Sequence, residues 1–186
     1  MSIVHFLNGV DIVVFQFLHG FIGQSPYLNG LIFFCAQYLP FILPVLLVLL
    51  IIRSKYSFNQ GILIAITSLI SVVLGRLVVV EGIRLFYHRL RPFVYMHLQP
   101  LFIVTSDSFP SGHATLYFAF AFVVFHFNRR WGYWFIAGAA VISIARVMAG
   151  VHYPTDIIAG ALIGWSAAWV SVWLSKRYVR HTRKRV

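Results

Sequence analysis

The stretch PSGHATLYFAFAFVVFHFNRR, residues 110–130, decides the fold. It opens on Pro110-Ser111-Gly112-His113, runs through an almost unbroken apolar segment at 112–127, and closes on Arg129-Arg130. A helix needs ~20 apolar residues to cross a hydrocarbon core, and this run is nearly long enough. Four comparable runs flank it, at roughly 30–52, 60–83, 132–150 and 156–174, each ending at polar or helix-breaking residues. Residues 9–23 form a shorter stretch that carries Asp11, Gln16 and His19, so they are expected to lie at the interface as an amphipathic helix. The chain therefore reads as an all-α integral membrane protein, a bundle of five or six transmembrane helices with an N-terminal interfacial helix. It forms a single membrane-embedded domain over 1–186.

Composition points the same way. Of 186 residues, 60% are hydrophobic and 10% charged, far from the balance of a soluble domain. The net charge of +11 would suggest nucleic acid in a soluble chain. Here the cations sit in short connections and in a basic tail over 175–186: Arg53 and Lys55, Arg129 and Arg130, then Lys176, Arg177, Arg180, Arg183, Lys184 and Arg185. That placement is a topology signal, and no nucleic-acid partner is expected. The positive-inside rule puts these regions in the cytoplasm and turns the 84–111 loop and the 150–156 turn outward. The first Lys or Arg is Arg53, so a removable signal peptide is not expected. Cys35 is the single cysteine and cannot form an intrachain disulfide. The only acids, Asp11, Glu81, Asp107 and Asp156, are scattered, so neither a metal site nor a cofactor is expected.

Three motifs fall on the outward side: Arg84, six residues, Arg91-Pro92; then Pro110-Ser111-Gly112-His113; then Arg146, five residues, His152, three residues, Asp156. Arg84, Arg91 and Arg146 offer permanent charge and forked donors that match phosphate oxygens. Ser111 and the Gly112 backbone stand at a helix start, where free N–H groups and the helix dipole favour an anion. His152 and Asp156 flank Pro154 in a turn, where the carboxylate can hold one imidazole nitrogen and leave the other free as a nucleophile.

Each fragment alone has an ordinary reading. An arginine near a helix end snorkels, Pro-Ser-Gly is a common turn and cap, and a lone histidine at the interface is a polar anchor. Arg146 resists that reading because it lies inside an apolar segment, where a cation is costly. Arg76 is similarly placed but stands outside the motifs, and is expected to pair with Glu81. Jointly the residues form an inventory for phosphoryl transfer, which depends on positioning and charge stabilisation. His5, His19, His88, His97, His126 and His181 read as interfacial, loop or tail residues. Trp131, Trp134, Trp165, Trp169 and Trp173 read as membrane-belt and packing groups, and Gly160-x-x-x-Gly164 as a close-packing helix face.

The order and spacing over Arg84–Asp156 resemble the type 2 phosphatidic acid phosphatase superfamily, whose pattern is Lys-x6-Arg-Pro, Pro-Ser-Gly-His and Ser-Arg-x5-His-x3-Asp. Two positions depart from it: Arg84 stands where Lys is usual, and Ala145 where Ser is usual. The resemblance implies that His152 attacks phosphorus, Asp156 orients it and His113 protonates the departing oxygen. Arg84, Arg91, Arg146, Ser111 and Gly112 would hold the phosphoryl group without a metal. It also implies a lipid phosphate substrate. In size and outward-facing site the chain resembles small bacterial undecaprenyl-diphosphate phosphatases, which places it in a bacterial inner (plasma) membrane with its site toward the periplasm or cell exterior. Phosphatidylglycerophosphate, phosphatidic acid and lipid A phosphates stay open as substrates, as does oligomeric state. A non-catalytic lipid or anion transporter is the alternative from another class. The superfamily's vanadium haloperoxidases hold vanadate in a similar pocket, but they are not compact multi-spanning chains.

Overall fold

A computed structural model describes residues 3–53 and 56–183, with side chains for 9–53 and 56–178. Lys55, Lys184 and Arg185 lie outside the described residues, as do the side chains of His5, Arg180, His181 and Arg183. Every regular element described is helical: α1 Ile3–His19, α2 Pro26–Arg53, α3 Phe58–Arg84, a short α4 Pro92–Tyr95, α5 Gly112–Phe127, α6 Arg129–Met148 and α7 Pro154–Arg183. Of these, α2, α3, α6 and α7 are long and apolar enough to cross a membrane.

Helix α5 has 16 residues, about 24 Å at the α-helical rise. Its short length suits its position at the centre of the bundle, against α3, α6 and α7. Ala114, Ala119, Ala121 and Val123 are fully enclosed on it. Small residues bring α7 close to it. A Cβ on Gly160 would stand 2.6 Å from the Ser111 carbonyl oxygen, and one on Gly164 would stand 2.9 Å from the Ala119 nitrogen. The expected packing role of this Gly-x-x-x-Gly face is what is found, and it seats the start of α5 on the start of α7.

Local sequence sets the helix ends. Helix α2 starts at Pro26 rather than near 30, because Ser25 takes an extended N-cap conformation and proline suits the first helical position. Ser57 and Gln60 form a reciprocal capping box at the start of α3. Asn128 ends α5 and caps α6, its side-chain oxygen accepting from the Trp131 N–H at 3.2 Å.

A proline inside α2 ties it to a neighbour. In an α-helix the Pro40 carbonyl would accept from residue 44, but Pro44 has no N–H and hydrocarbon supplies no water in its place. Ala36 lies in the π-helical stretch Phe34–Tyr38 of the same helix. Tyr117 Oη donates to the Pro40 carbonyl at 2.8 Å, and Arg146 Nη1 donates to the Ala36 carbonyl at 3.4 Å.

Helix α1, like α5, is shorter than the four helices long enough to cross a membrane. Its orientation is unusual for an amphipathic helix. Asp11 is buried against the protein while Val13 and Phe17 face outward. Phe15 is fully enclosed between His19 and Tyr153. The sequence reading of His19 as a mere interfacial residue needs correction, since its Nδ1 lies 2.8 Å from the Met148 carbonyl at the end of α6.

Consecutive helices alternate in direction. Arg53, the start of α6 and the end of α7 therefore gather at one end, while the end of α3 and the starts of α5 and α7 gather at the other.

Candidate active site

Six elements meet at that second end. The last turn of α3 carries Arg84, the following loop Arg91, the start of α5 Ser111, Gly112 and His113, the last turn of α6 Arg146, the next loop His152, and the first turn of α7 Asp156. Backbone bonds fasten the loops together: Phe93 N–H to the Gly150 carbonyl at 3.1 Å, Ser108 N–H to Arg89 at 2.9 Å, and Ser111 N–H to Asp156 at 3.1 Å. Gly150 turns the chain out of α6 at φ 86, a conformation that favours glycine.

His152 is almost fully enclosed. Its Nδ1 faces Asp156 Oδ2 at 3.6 Å and its Nε2 faces Arg91 Nη1 at 3.3 Å. A carboxylate on one side and a guanidinium donor on the other favour the tautomer with its proton on Nδ1 and its Nε2 lone pair turned toward Arg91. Burial, opposed by the Asp156 hydrogen bond and charge but reinforced by the Arg146 and Arg91 cations, pushes the His152 pKa down to about 4, so the ring is neutral around pH 7.

Arg91 donates widely to the protein. Its Nε meets the Ser106 carbonyl at 2.7 Å, Nη1 the Val151 carbonyl at 2.5 Å, and Nη2 both Ser106 Oγ at 3.0 Å and the Asp107 carbonyl at 3.1 Å. It thus clamps two loops and presents one edge to His152. Burial, then the nearby charge of Arg84, lowers its pKa to about 10, which leaves it cationic at neutral pH. Arg84 Nη2 donates to the Pro110 carbonyl at 3.0 Å, directly before the Ser111 cap. Ser111 Oγ accepts from the Ala114 N–H at 3.4 Å. His113 sits beside Tyr117, within the electrostatic reach of Arg146, His152, Arg76 and Arg91.

Six buried side-chain polar atoms among the described residues have no hydrogen-bond partner; His152 Nδ1 is one but faces Asp156, and two others are the donors Arg84 Nε and Arg146 Nε. Buried donors are rarely left so, and their concentration here marks a place shaped for a ligand's acceptors. Among the described residues no group of three or more His, Cys, Asp or Glu side chains is placed to hold a metal ion.

Sequence reasoning missed the network behind Asp156. Its carboxylate accepts from Arg89 Nη1 at 2.7 Å, Ser108 Oγ at 2.5 Å and the Tyr153 N–H at 2.8 Å. Arg89 also donates through Nη2 to Asp11 Oδ2 at 2.7 Å, and its guanidinium lies 4.1 Å from the centre of the Tyr153 ring. Asp11 accepts from the Thr155 N–H at 2.9 Å and from the Thr155 hydroxyl. Two of the four acids that looked scattered are thus joined by one guanidinium. The available signals were Arg89 inside the spacer of the first motif and an acid in the middle of an apolar helix. Arg76 pairs with Glu81, as expected, but it also lies against Gly112 and so borders the site.

The chain is 32% identical over 169 residues to an undecaprenyl-diphosphatase of Sulfolobus acidocaldarius, covering 88% of this chain and 76% of that one. It is 28% identical over 171 residues to the bacitracin transport permease protein BcrC of Bacillus licheniformis, covering 90% and 82%. The crystal structure of Aquifex aeolicus LpxE superposes with a TM-score of 0.69 at 26% identity, over 88% of this chain and 94% of that one. The sequence profile of the PAP2 superfamily matches residues 61–180, most of the bundle and every motif of the site, and the chain belongs to that superfamily.

Proposed function

We propose that this membrane phosphatase removes the terminal phosphate of a lipid phosphate or diphosphate, with undecaprenyl diphosphate the foremost substrate, through a phosphohistidine on His152. The observation that carries the reading is a buried neutral imidazole set between a carboxylate and a guanidinium, beside arginine donors that have no protein partner. In this reading Nε2 of His152 attacks phosphorus while Asp156 holds the Nδ1 proton and balances the growing positive charge. His113 gives a proton to the departing oxygen, and water then hydrolyses the phosphoramidate. Arg84, Arg91 and Arg146, with Ser111 and the Gly112 backbone, stabilise charge on the equatorial oxygens. The undecaprenyl-diphosphatase relative supports the choice of substrate. A transport reading has less support, because the site's charged groups cluster at one end of the bundle instead of lining a path across it.

Phosphate release from a panel of lipid phosphates, assayed in excess chelator, tests this directly. Polyprenyl diphosphate should be turned over fastest, and activity should persist without free divalent ions. Activity that vanishes on chelation and returns with a divalent ion would remove the arginine-based account.

The pH dependence follows from His152. Its neutral form is the reactive one and its pKa is lowered to about 4, so protonation removes activity only as the pH falls through that value. The kcat/KM profile should therefore be flat on its acid side down to about pH 5, then fall by about tenfold per pH unit below the pKa. An acid limb centred on the ordinary histidine value of 6.5 would contradict this.

We also place the site on the outer face of the bacterial inner (plasma) membrane. Cysteines introduced at Leu90 and Ile103, which are 62% and 79% exposed, should react with impermeant thiol reagents from outside, while a C-terminal tag should be accessible only from the cytoplasm. The reverse pattern would invert the topology.

A further inference from the structure

Arg76 is a guanidinium within an apolar span, a costly placement that usually marks function. The helix is not α-helical there: Val73–Val80 is a π-helical stretch, a widened turn often found at functional positions. In an α-helix, residues five apart would point about 140° away from each other. The wider turn brings Arg76 and Glu81 together as an ion pair. The same Glu81 oxygen also lies 3.4 Å from Arg84 Nη1, so a single carboxylate is shared by two cations. Glu81 is not locked in by burial, its side chain being 47% exposed.

The Arg76 guanidinium also lies over Gly112, with Cζ 2.9 Å from where a Cβ would stand. Only a residue without a side chain lets Arg76 reach the start of α5. Beside the trio is a recess of about 530 Å3 whose polar wall includes Glu81, Arg84 and Ser106 and whose apolar wall includes Leu77 and Val78. Ser106 Oγ is bonded to Arg91, the neighbour of His152. Arg76 is tied to the recess through Glu81, Asp107 is a second acid on its wall, and Ser106 connects it to Arg91 and His152. A diphosphate lipid likewise offers an apolar tail and two adjacent phosphates.

We propose that Arg76 forms a subsite for the lipid-side phosphate of a diphosphate substrate, next to Arg84 on the terminal phosphoryl group, and that Glu81 occupies it as a displaceable carboxylate when no substrate is bound. The proposal rests on the diphosphate reading given above. The lipid-side phosphate is the leaving group when the bridging P–O bond to the terminal phosphorus breaks, so Arg76 would meet the negative charge that grows on it.

The test compares a polyprenyl diphosphate with the matching polyprenyl monophosphate in one detergent, using the wild type, Arg76→Gln and Glu81→Gln. Arg76→Gln should lower the diphosphate-to-monophosphate ratio of kcat/KM by roughly 10- to 100-fold, the scale of one charged hydrogen bond. Glu81→Gln removes the competing charge and should lower the diphosphate KM by roughly two- to fivefold, the scale of a half-exposed ion pair. Wild-type turnover of the diphosphate with an unchanged ratio in Arg76→Gln overturns the subsite alone. If Arg76→Gln loses both activities, Glu81→Gln decides, and an unmoved KM there overturns the proposal. A wild type that turns over only monophosphates overturns the substrate reading and the subsite with it.

Discussion

His152→Ala should abolish both turnover and covalent labelling. With a substrate carrying phosphorus label in its terminal phosphate, rapid quenching of the unaltered protein should trap label that is stable in base and labile in acid, as a phosphoramidate is. Nothing else is placed to replace the attacking nitrogen. His113 is the other imidazole of the site, but no carboxylate holds it in the tautomer that Asp156 favours at His152. Asp156→Asn should slow labelling without abolishing it. The asparagine oxygen can still accept from Arg89, Ser108 or the Tyr153 N–H, but the charge that balances the imidazolium is gone. His113→Ala should slow labelling most for substrates with poor leaving groups. Full activity in His152→Ala would remove the mechanism, and label retained in that variant would move the nucleophile elsewhere.

Arg146→Ala should lower kcat/KM by roughly two or more powers of ten, the scale for deleting a donor aimed at transition-state charge. Arg146 is buried, its Nε has no protein partner, and its guanidinium lies 5.5 Å from the centre of the Phe102 ring. Removing it also takes the donor from the Ala36 carbonyl, a structural loss of about 1–3 kcal/mol. The folded fraction measured by size exclusion separates that loss from the catalytic one. Arg84→Lys should keep substantial activity, since an ammonium keeps the charge and can donate where Arg84 Nη2 meets the Pro110 carbonyl. Equal and severe losses in both variants would mean that the fork at Arg84 has its own role, and its shared contact with Glu81 would be the first place to look.

The bundle was legible in the sequence because hydropathy reports element length directly. Residues 30–52 announced a span, although its true start waited on Ser25 and Pro26. The positions of the site were legible because its motifs fall within a turn or two of helix ends, where local spacing fixes geometry. What stayed hidden depends on partners far along the chain. Arg89 meets Asp156 across 67 positions and Asp11 across 78, and no periodicity encodes such a meeting. Pro44 was visible as a residue, but that it frees the Pro40 carbonyl for Tyr117 follows only once α5 stands beside α2. Arg76 was set aside because it lies outside the motifs, and its approach to Gly112 at the site's edge depends on the start of α5 standing beside it.

The Asp11 contact has a consequence for biosynthesis. Thr155 and Asp11 are 144 positions apart, so the ribosome delivers the acid near the beginning of the chain and its partners close to the end. Until α7 enters the membrane, Asp11 and Arg89 can pair only with each other, without Thr155 and Asp156. On the proposed mechanism, a chain that has inserted only the helices before α7 lacks Asp156 and should be inactive, and competence should require α7 to close onto α1.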